Sequence, residues 1–580
     1  MNDVIDTGVL IVGGGGAGCR AAIEAHDQGV DVLMIVKGRL GHSGCTLNVG
    51  TSTAVGPWGV PEDTIDLAMK DLLAHGGFLG NQEMVKVLAE ESPDRIVELQ
   101  DWGIDFERNE DGSIAINQSA EHTHPRNFAF KPTGASHHDH GYPPGIALMD
   151  VLIGEMAKRS IRVMDDVALV DLLVADGRVV GATAIDCNAN KLVVFRAKAT
   201  VLATGTYSQV YSHTTVSPQE TGDGQAAAYR AGAELIDMEN TQFVATSTGY
   251  PPGSVFLNAK GESFLENYGI SSTQGASKEA LIFAVGTEIK EGRATERGTI
   301  LIDMSSLDRK GEWAARHLSR FEENLRNRGS VNPGHETKGV DYSKEPYETS
   351  PLAHTATGGV RVNERCETSL PGLYAAGAVA GGVYGHARPE GYTSMITLVF
   401  GRIAGLVAAQ DSKETGDVAL DDTAVQASVQ WATGIAENSA GMSPDEIKTQ
   451  IRATMKDHAW IIKDEDGMKA GLERIREIKE IERLRAESSA FSARPRDGFA
   501  WTSAVEVPNM LLASELMLMG GIERKESRGA FFRADYPETD NDNWLKNLIY
   551  KQADGGPVIE TDEVDLKYFG PRSSSAVSAT

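Results

Sequence analysis

The chain has 580 residues, 41% hydrophobic and 24% charged, the composition of a globular protein with room for a large core and roughly two to four domains. Lys and Arg number 55 against 82 Asp and Glu, a formal charge of −27, which excludes a nucleic-acid groove and a polybasic membrane-binding face. The four cysteines, Cys19, Cys45, Cys187 and Cys366, never reach a C-x-x-C spacing, which excludes a disulfide framework and an iron–sulfur motif within this chain.

The N-terminus has no basic region ahead of a long apolar core, and no run of about eighteen apolar residues predicts a membrane-spanning helix. A cytoplasmic protein is expected, at the inner face of a membrane if partner subunits hold it there. Glycine is in excess at 62 residues without a G-X-Y period, against about 7% in an average protein.

In chain order, Val9–Val12 reads as a buried strand that runs straight into Gly13-Gly14-Gly15-Gly16-Ala17-Gly18. Cys19–Gln28 reads as an Ala-rich helix and Val30–Val36 as a second strand. This is a βαβ unit with G-x-G-x-x-G at its turn, where backbone can approach a pyrophosphate seated on the positive end of the helix. The second strand ends in Val36-Lys37 rather than Asp or Glu, which weakens a plain NAD reading. Five histidines, His122, His124, His137, His138 and His140, crowd a short stretch. Their spacing matches no zinc signature, so no metal site is assigned. They are expected to line the entrance to an anionic substrate site.

Two more strand-to-glycine junctions follow. Val193–Thr204 runs into Gly205, with Thr221-Gly222-Asp223-Gly224 opening a helix, and Pro371–Ala376 runs into Gly377 ahead of an apolar helix around 396–409. Three such junctions predict a large cofactor in an α/β, Rossmann-like domain built from separated segments. Residues 1–240 and 351–420 are assigned to it. An α+β unit is predicted over 241–350, a helical domain over 421–535 and a C-terminal tail over 536–580, without fixed structure in part. There are no internal repeats.

Five stretches carry a resemblance: IVGGGGAGCRAA; AKATVLATGTYSQVY with TGDGQAAAYRAGAEL; HTATGGVRVN; LPGLYAAGAVAGGVYGHARPEGYTSMITLVFGRIAG; and RKESRGAFFRADYPETDNDNWLKN. In this order they resemble the succinate dehydrogenase/fumarate reductase flavoprotein family, whose relatives include L-aspartate oxidase and adenylylsulfate reductase. The resemblance implies FAD, a capping domain, hydride transfer at flavin N5 to or from an activated C–C bond, and an iron–sulfur partner protein to carry electrons. It implies FAD contacts from Gly13, Gly15, Gly16, Ala17, Gly18, Lys37, Ser43, Cys45, Thr46, Ala203, Thr204, Gly205, Asp223, Gly377, Thr393 and Ser394.

Arg388 in HARPEG falls at the family's substrate-carboxylate arginine, and His354 in LAHTATGG at its substrate histidine. Lys278 takes the place of the proton-shuttle arginine that opens a helix. A desolvated lysine sheds a proton more readily than an arginine.

Four departures stand out. Val244 replaces the histidine of the family's Q-F-H-P-T segment, and the acid-rich stretch that normally follows is missing. One carboxylate of a C4 dicarboxylate is then poorly served, and a different unsaturated acid is expected. Cys45, beside His42, falls where covalently flavinylated members have histidine, so non-covalent FAD is expected. Ala378 replaces an acidic cofactor contact, and Phe531 a histidine; Arg528 and Arg533 are expected to make internal ion pairs. An L-aspartate-oxidase-like or adenylylsulfate-reductase-like enzyme, or an electron-relaying subunit without an alkene substrate, stays open as an alternative.

Overall fold

The computed structural model describes residues 4–131, 145–246, 250–251, 253–273, 275–310, 318, 341–436, 442–487 and 497–571. Everything below concerns those residues. Val4–Val12 is the centre of a seven-stranded sheet, parallel to Val32–Ile35 on one side and to Lys191–Leu202 on the other. Val9, Leu10 and Ile11 are fully buried, because both faces of this sheet are covered and its strands can be apolar without alternation.

Lys191–Leu202 is long enough to serve two partners on one edge. Its first half pairs antiparallel with Arg178–Asp186, its second half parallel with Leu373–Ala375. The three strand-to-glycine junctions predicted from sequence thereby end side by side at the carboxyl edge of one sheet, where α/β folds bind ligands.

The helix Gly16–Asp27 lies against the long helix Tyr392–Glu414 at backbone distance. A Cβ on Gly401 would lie 2.7 Å from Ala17 O, and one on Gly405 2.2 Å from Ala21 O. The second helix therefore carries its own N-terminus to the same edge of the sheet.

Two strands, Thr241–Val244 and Leu352–Ala356, lead out to an α+β unit. That unit has the antiparallel strands Val255–Leu257, Ile300–Asp303 and Tyr347–Thr349. Its helix Lys278–Lys290 is capped by Ser277, whose Oγ accepts from Ala280 N at 3.2 Å. Asp422–Ala436, Pro444–His458, Glu465–Glu487 and Gly498–Glu523 form the helical part.

Two expectations are corrected. Tyr392–Glu414 and Gly498–Glu523 are each long and apolar enough to cross a membrane by length and composition, yet 83% and 72% of those apolar windows are buried inside the protein. They are core helices, apolar on all sides because they are packed on all sides.

The stretch assigned to a tail holds a hairpin, Lys546–Ala553 with Gly556–Glu563. It joins Leu235–Ile236 in a second sheet, and Leu548 and Tyr550 are fully buried there. The signal was Asp554-Gly555 at the turn; the acidic second strand is an edge and hides the pattern.

Candidate functional site

At the carboxyl edge of the main sheet lies a cleft that opens to solvent. Gly13, Gly15, Gly16, Ala17, Lys37, Ser43, Cys45, Thr46, Ala203, Thr204, Gly205, Asp223, Gly377 and Thr393 line it. The N-cap of the first helix, Gly15, makes no side-chain cap hydrogen bond. Its first N–H groups thus remain available to an anion, except that Gly16 N donates to Thr46 Oγ1 at 2.9 Å. Thr204 Oγ1 is buried on the cleft wall without a partner, a donor awaiting a ligand.

Gly18 and Ser394 do not line the cleft. A Cβ at Gly18 would lie 1.9 Å from Gly13 O, so its part is to let the helix close on the turn. Ser394 Oγ lies 2.7 Å from Thr51 O and 2.9 Å from Gly391 O, to which it can donate. Its hydroxyl therefore fastens the start of the long helix.

Lys37 is committed to the protein itself. Its Nζ donates to Asp223 Oδ2 at 2.6 Å, to Thr221 Oγ1 at 2.8 Å and to Gln219 O at 3.0 Å, and pairs with Glu506 at 2.5 Å. Burial works against its charge, but Asp223 and Glu506 outweigh burial and raise its pKa. Glu506 comes from the helical part, and sequence reading missed it.

Cys45 faces the cleft beside Glu220, whose Oε1 accepts from Cys45 N at 3.0 Å. Burial, then the carboxylate, pushes the thiol well above its usual range. Ala378 also borders the cleft.

A second cluster sits where the α+β unit meets the sheet domain. Arg388 is 4% exposed. Its Nη1 donates to Pro389 O at 3.1 Å and its Nη2 to His354 Nε2 at 3.0 Å, while Nε is buried without a partner. A guanidinium can only donate, so Nε2 of His354 accepts and the ring proton sits on Nδ1, 2.8 Å from Thr215 Oγ1. Burial, then Arg388 and Lys278, push His354 far below the usual histidine pKa, and it is neutral at pH 7.

A shift of pairing register between Gln242 and Phe243 leaves His354 as the extra residue of its strand. Such bulges re-aim a side chain.

Lys278 is the first residue of its helix, and its Nζ is 3.9 Å from Glu121 Oε1. Next to it, Glu279 Oε1 accepts from Gln242 Nε2 at 2.6 Å, and Oε2 is 3.2 Å from His75 Nε2. Gln242 Nε2 also donates to Arg388 O at 3.2 Å. One amide therefore ties the start of the helix to the arginine loop. All three residues predicted for chemistry, Lys278, His354 and Arg388, come together here. Glu121, Thr215 and His75 were missed, since none belongs to a motif, and Gln242, which opens the family's Q-F-H-P-T segment, had been given no role.

The histidine-rich stretch divides. His137, His138 and His140 lie outside the described residues, and His124 is half-buried. His122 is buried and does not line an entrance. Its Nε2 is 3.0 Å from Glu390 O, with Arg126 Nη1 3.4 Å from Nδ1. Arg126 is anchored by Asp63 and Asp71, both at 2.6 Å. His122 thus braces the loop that carries Arg388.

Arg528 pairs with Glu526 at 2.7 Å and Arg533 with Asp535 at 2.6 Å. Phe531 packs on His386 at 5.7 Å, with Lys463 Nζ 4.7 Å from its ring centre. Asp237, Glu239 and His386 are close enough to hold an ion. The carboxylate oxygens of Asp237 and Glu239 are already taken by Arg524, Tyr550, Asn547 and Leu548 N.

A family model described as an FAD binding domain matches residues 8–394, and one described as the C-terminal part of the fumarate reductase flavoprotein matches 448–576. A fumarate reductase (CoM/CoB) subunit of Methanothermobacter marburgensis is 31% identical over 94% of this chain and 97% of its own. An uncharacterised FAD-dependent oxidoreductase of Methanocaldococcus jannaschii is 33% identical over 97% and 99%. Among solved structures, a variant of the E. coli quinol fumarate reductase protein FrdA superposes with TM-score 0.85 at 25% identity, covering 98% of both chains.

Proposed function

Because the chain belongs to the succinate dehydrogenase/fumarate reductase flavoprotein family and is an FAD-dependent oxidoreductase acting on CH–CH groups, we propose that it interconverts a saturated and an α,β-unsaturated carboxylate bound at Arg388. The cleft fits FAD: glycine backbone at the turn, a free helix N-terminus, and the orphaned Thr204 hydroxyl. Bound there, FAD supplies the hydride chemistry. The rest falls to the chain's own residues.

The observation that carries this reading is the unsatisfied Nε of Arg388, buried with its guanidinium already aligned by His354 and Pro389. A buried donor left unpaired costs about 1–3 kcal/mol, and a substrate carboxylate removes that cost while presenting a matching acceptor. Arg388 polarises the conjugated bond through the carboxylate and absorbs negative charge as it develops. Neutral His354 adds no charge; it holds the guanidinium, and Thr215 holds His354. Lys278 moves the proton at the other carbon.

Val244, on the strand that carries Gln242, offers no donor to a second carboxylate. The substrate therefore keeps one anionic group and differs from fumarate elsewhere. Turnover of fumarate at ordinary dehydrogenase rates would remove this part of the reading.

Electrons need an outlet. Cys19, Cys187 and Cys366 are buried and all four cysteines are free, so an iron–sulfur protein is proposed as partner, with the pair on the cytoplasmic side. The M. marburgensis relative is itself named as a subunit.

The test is anaerobic reduction of the flavoprotein followed by a screen of unsaturated acids and acyl thioesters for reoxidation. Arg388→Ala should lower substrate-linked reoxidation by about a thousandfold with FAD content unchanged. Unaltered reoxidation in that variant would show that the carboxylate binds elsewhere.

A further inference from the structure

Glu121 belongs to no motif and lies on the sheet-domain side, yet it faces the first residue of the helix on the other side. Its side chain is 3% exposed, Oε1 is 3.9 Å from Lys278 Nζ, and Oε2 is buried with no partner. Glu279 and Ser277, the neighbours of Lys278, line a groove with about 750 Å³ of empty space, open to solvent, together with His75, Phe78 and Arg528 among others. The same His75 is in contact with Glu279 and acts electrostatically on Glu121.

We propose that Glu121 is the proton relay of Lys278, passing protons between its amine and water in the groove beside His75. The inference rests on the reading of Lys278 as the shuttle.

In the reductive direction Lys278 loses one N–H proton to the substrate carbon and becomes a neutral amine. Glu121, a carboxylate until then, takes a proton from water by way of His75 and passes it to the amine: its O–H bond breaks as the new N–H forms, and the carboxylate and the charged lysine are both restored. Oxidation runs the same transfers in reverse.

The electrostatics give the relay its direction. With Lys278 charged, burial pushes the Glu121 carboxyl up, but Lys278, His75 and Ser119 outweigh it and hold it below the usual range, against opposition from Glu279. Once Lys278 is neutral, the largest of those opposing influences disappears and burial favours uptake of a proton. Tyr250 and His122 also interact electrostatically with Glu121. The separation of 3.9 Å is about 1 Å more than a hydrogen bond, within reach of a rotamer change in a long lysine side chain.

The test uses the FAD-loaded protein, comparing wild type with Glu121→Gln, Glu121→Asp and Lys278→Met, each checked for flavin content. Trace acetylation at pH 7, quantified by peptide mapping with Lys290 as internal reference, should label Lys278 about fivefold faster in Glu121→Gln. Viologen-linked reduction of fumarate and of crotonate should fall about tenfold in kcat with KM within about twofold. Glu121→Asp should restore part of both effects, and it replaces the Gln variant if that one fails to retain FAD. Unchanged labelling overturns the relay, even if neither acid is turned over. Unchanged kcat in Glu121→Gln, where Lys278→Met is inactive, overturns the relay alone. Full turnover by Lys278→Met overturns the shuttle reading itself.

Discussion

The cofactor cleft and the Arg388 cluster lie in one protein but are built from different materials. The cleft is built around main chain: glycine turns at the ends of three neighbouring strands and a helix N-terminus whose first N–H donates to Thr46. The cluster is side chains drawn from five separated places, Glu121, Thr215, Lys278 with Glu279, His354 and Arg388. Backbone sites tolerate few substitutions, because a single methyl group meets backbone that cannot move aside. Side-chain sites can be rebuilt one residue at a time.

The largest effect expected from this contrast is at Gly18. A methyl there would sit 1.9 Å from Gly13 O, and Gly13 is itself held at φ +115° with Ala203 O behind it. Neither neighbour is a flexible side chain, so Gly18→Ala should cost about 3 kcal/mol or more. The purified variant should be nearly colourless, with its flavin-to-protein ratio and Tm both reduced. A fully loaded Gly18→Ala protein would mean that the cleft is as adaptable as the Arg388 cluster, and the contrast would fail.

The same contrast explains what could be read in the sequence. Gly13 to Gly18, Gly205 and Gly377 each sit directly after a run of strand residues, so local spacing was enough to predict three junctions at one cofactor. Lys278, His354 and Arg388 were found only by resemblance to a family, since no spacing links residues more than thirty positions apart. Glu121 and Glu506 carried no signal of either kind; each meets its partner only because distant elements pack together. His122 misled for a related reason, for a histidine-rich stretch suggests a ligand site until burial turns one ring towards a carbonyl. The C-terminal hairpin escaped because its second strand is exposed and acidic, so composition outweighed the turn signal.

A smaller effect tests the charge balance of the Arg388 cluster. An unfolded histidine titrates near pH 6.5, whereas His354 in the fold stays neutral well below that, because of burial and the cations Arg388 and Lys278. As pH falls from about 7.5 to 5.5, the unfolded chain gains a proton that the folded chain refuses. Stability from this residue is therefore whole above about pH 6.5 and diminishes below it, by about 1.4 kcal/mol at about pH 5.5. His354→Gln can still accept from Arg388 but does not titrate. Urea unfolding of both proteins at the two pH values should show the wild type losing about 1.4 kcal/mol more than the variant. An equal loss in both would mean that His354 is charged in the fold, and the proton assignment on Nδ1 would be wrong.

The smallest effect is expected at Cys45, the cleft residue that stands where flavinylated relatives carry a histidine. A covalent bond to the flavin would need a nucleophilic thiolate, and burial beside Glu220 disfavours one. Glu220 is no ready base either: its oxygens already accept from Cys45 N and Thr206 N. Cys45→Ser preserves size and polarity, so it should leave FAD affinity within about threefold, a change under about 1 kcal/mol. Acid precipitation should release yellow colour into the supernatant from wild type and variant alike. Colour retained in the wild-type pellet, but not in that of Cys45→Ser, would reveal a thioether at this position. The cleft would then depend on a side chain after all, at the point where its backbone construction should make that side chain dispensable.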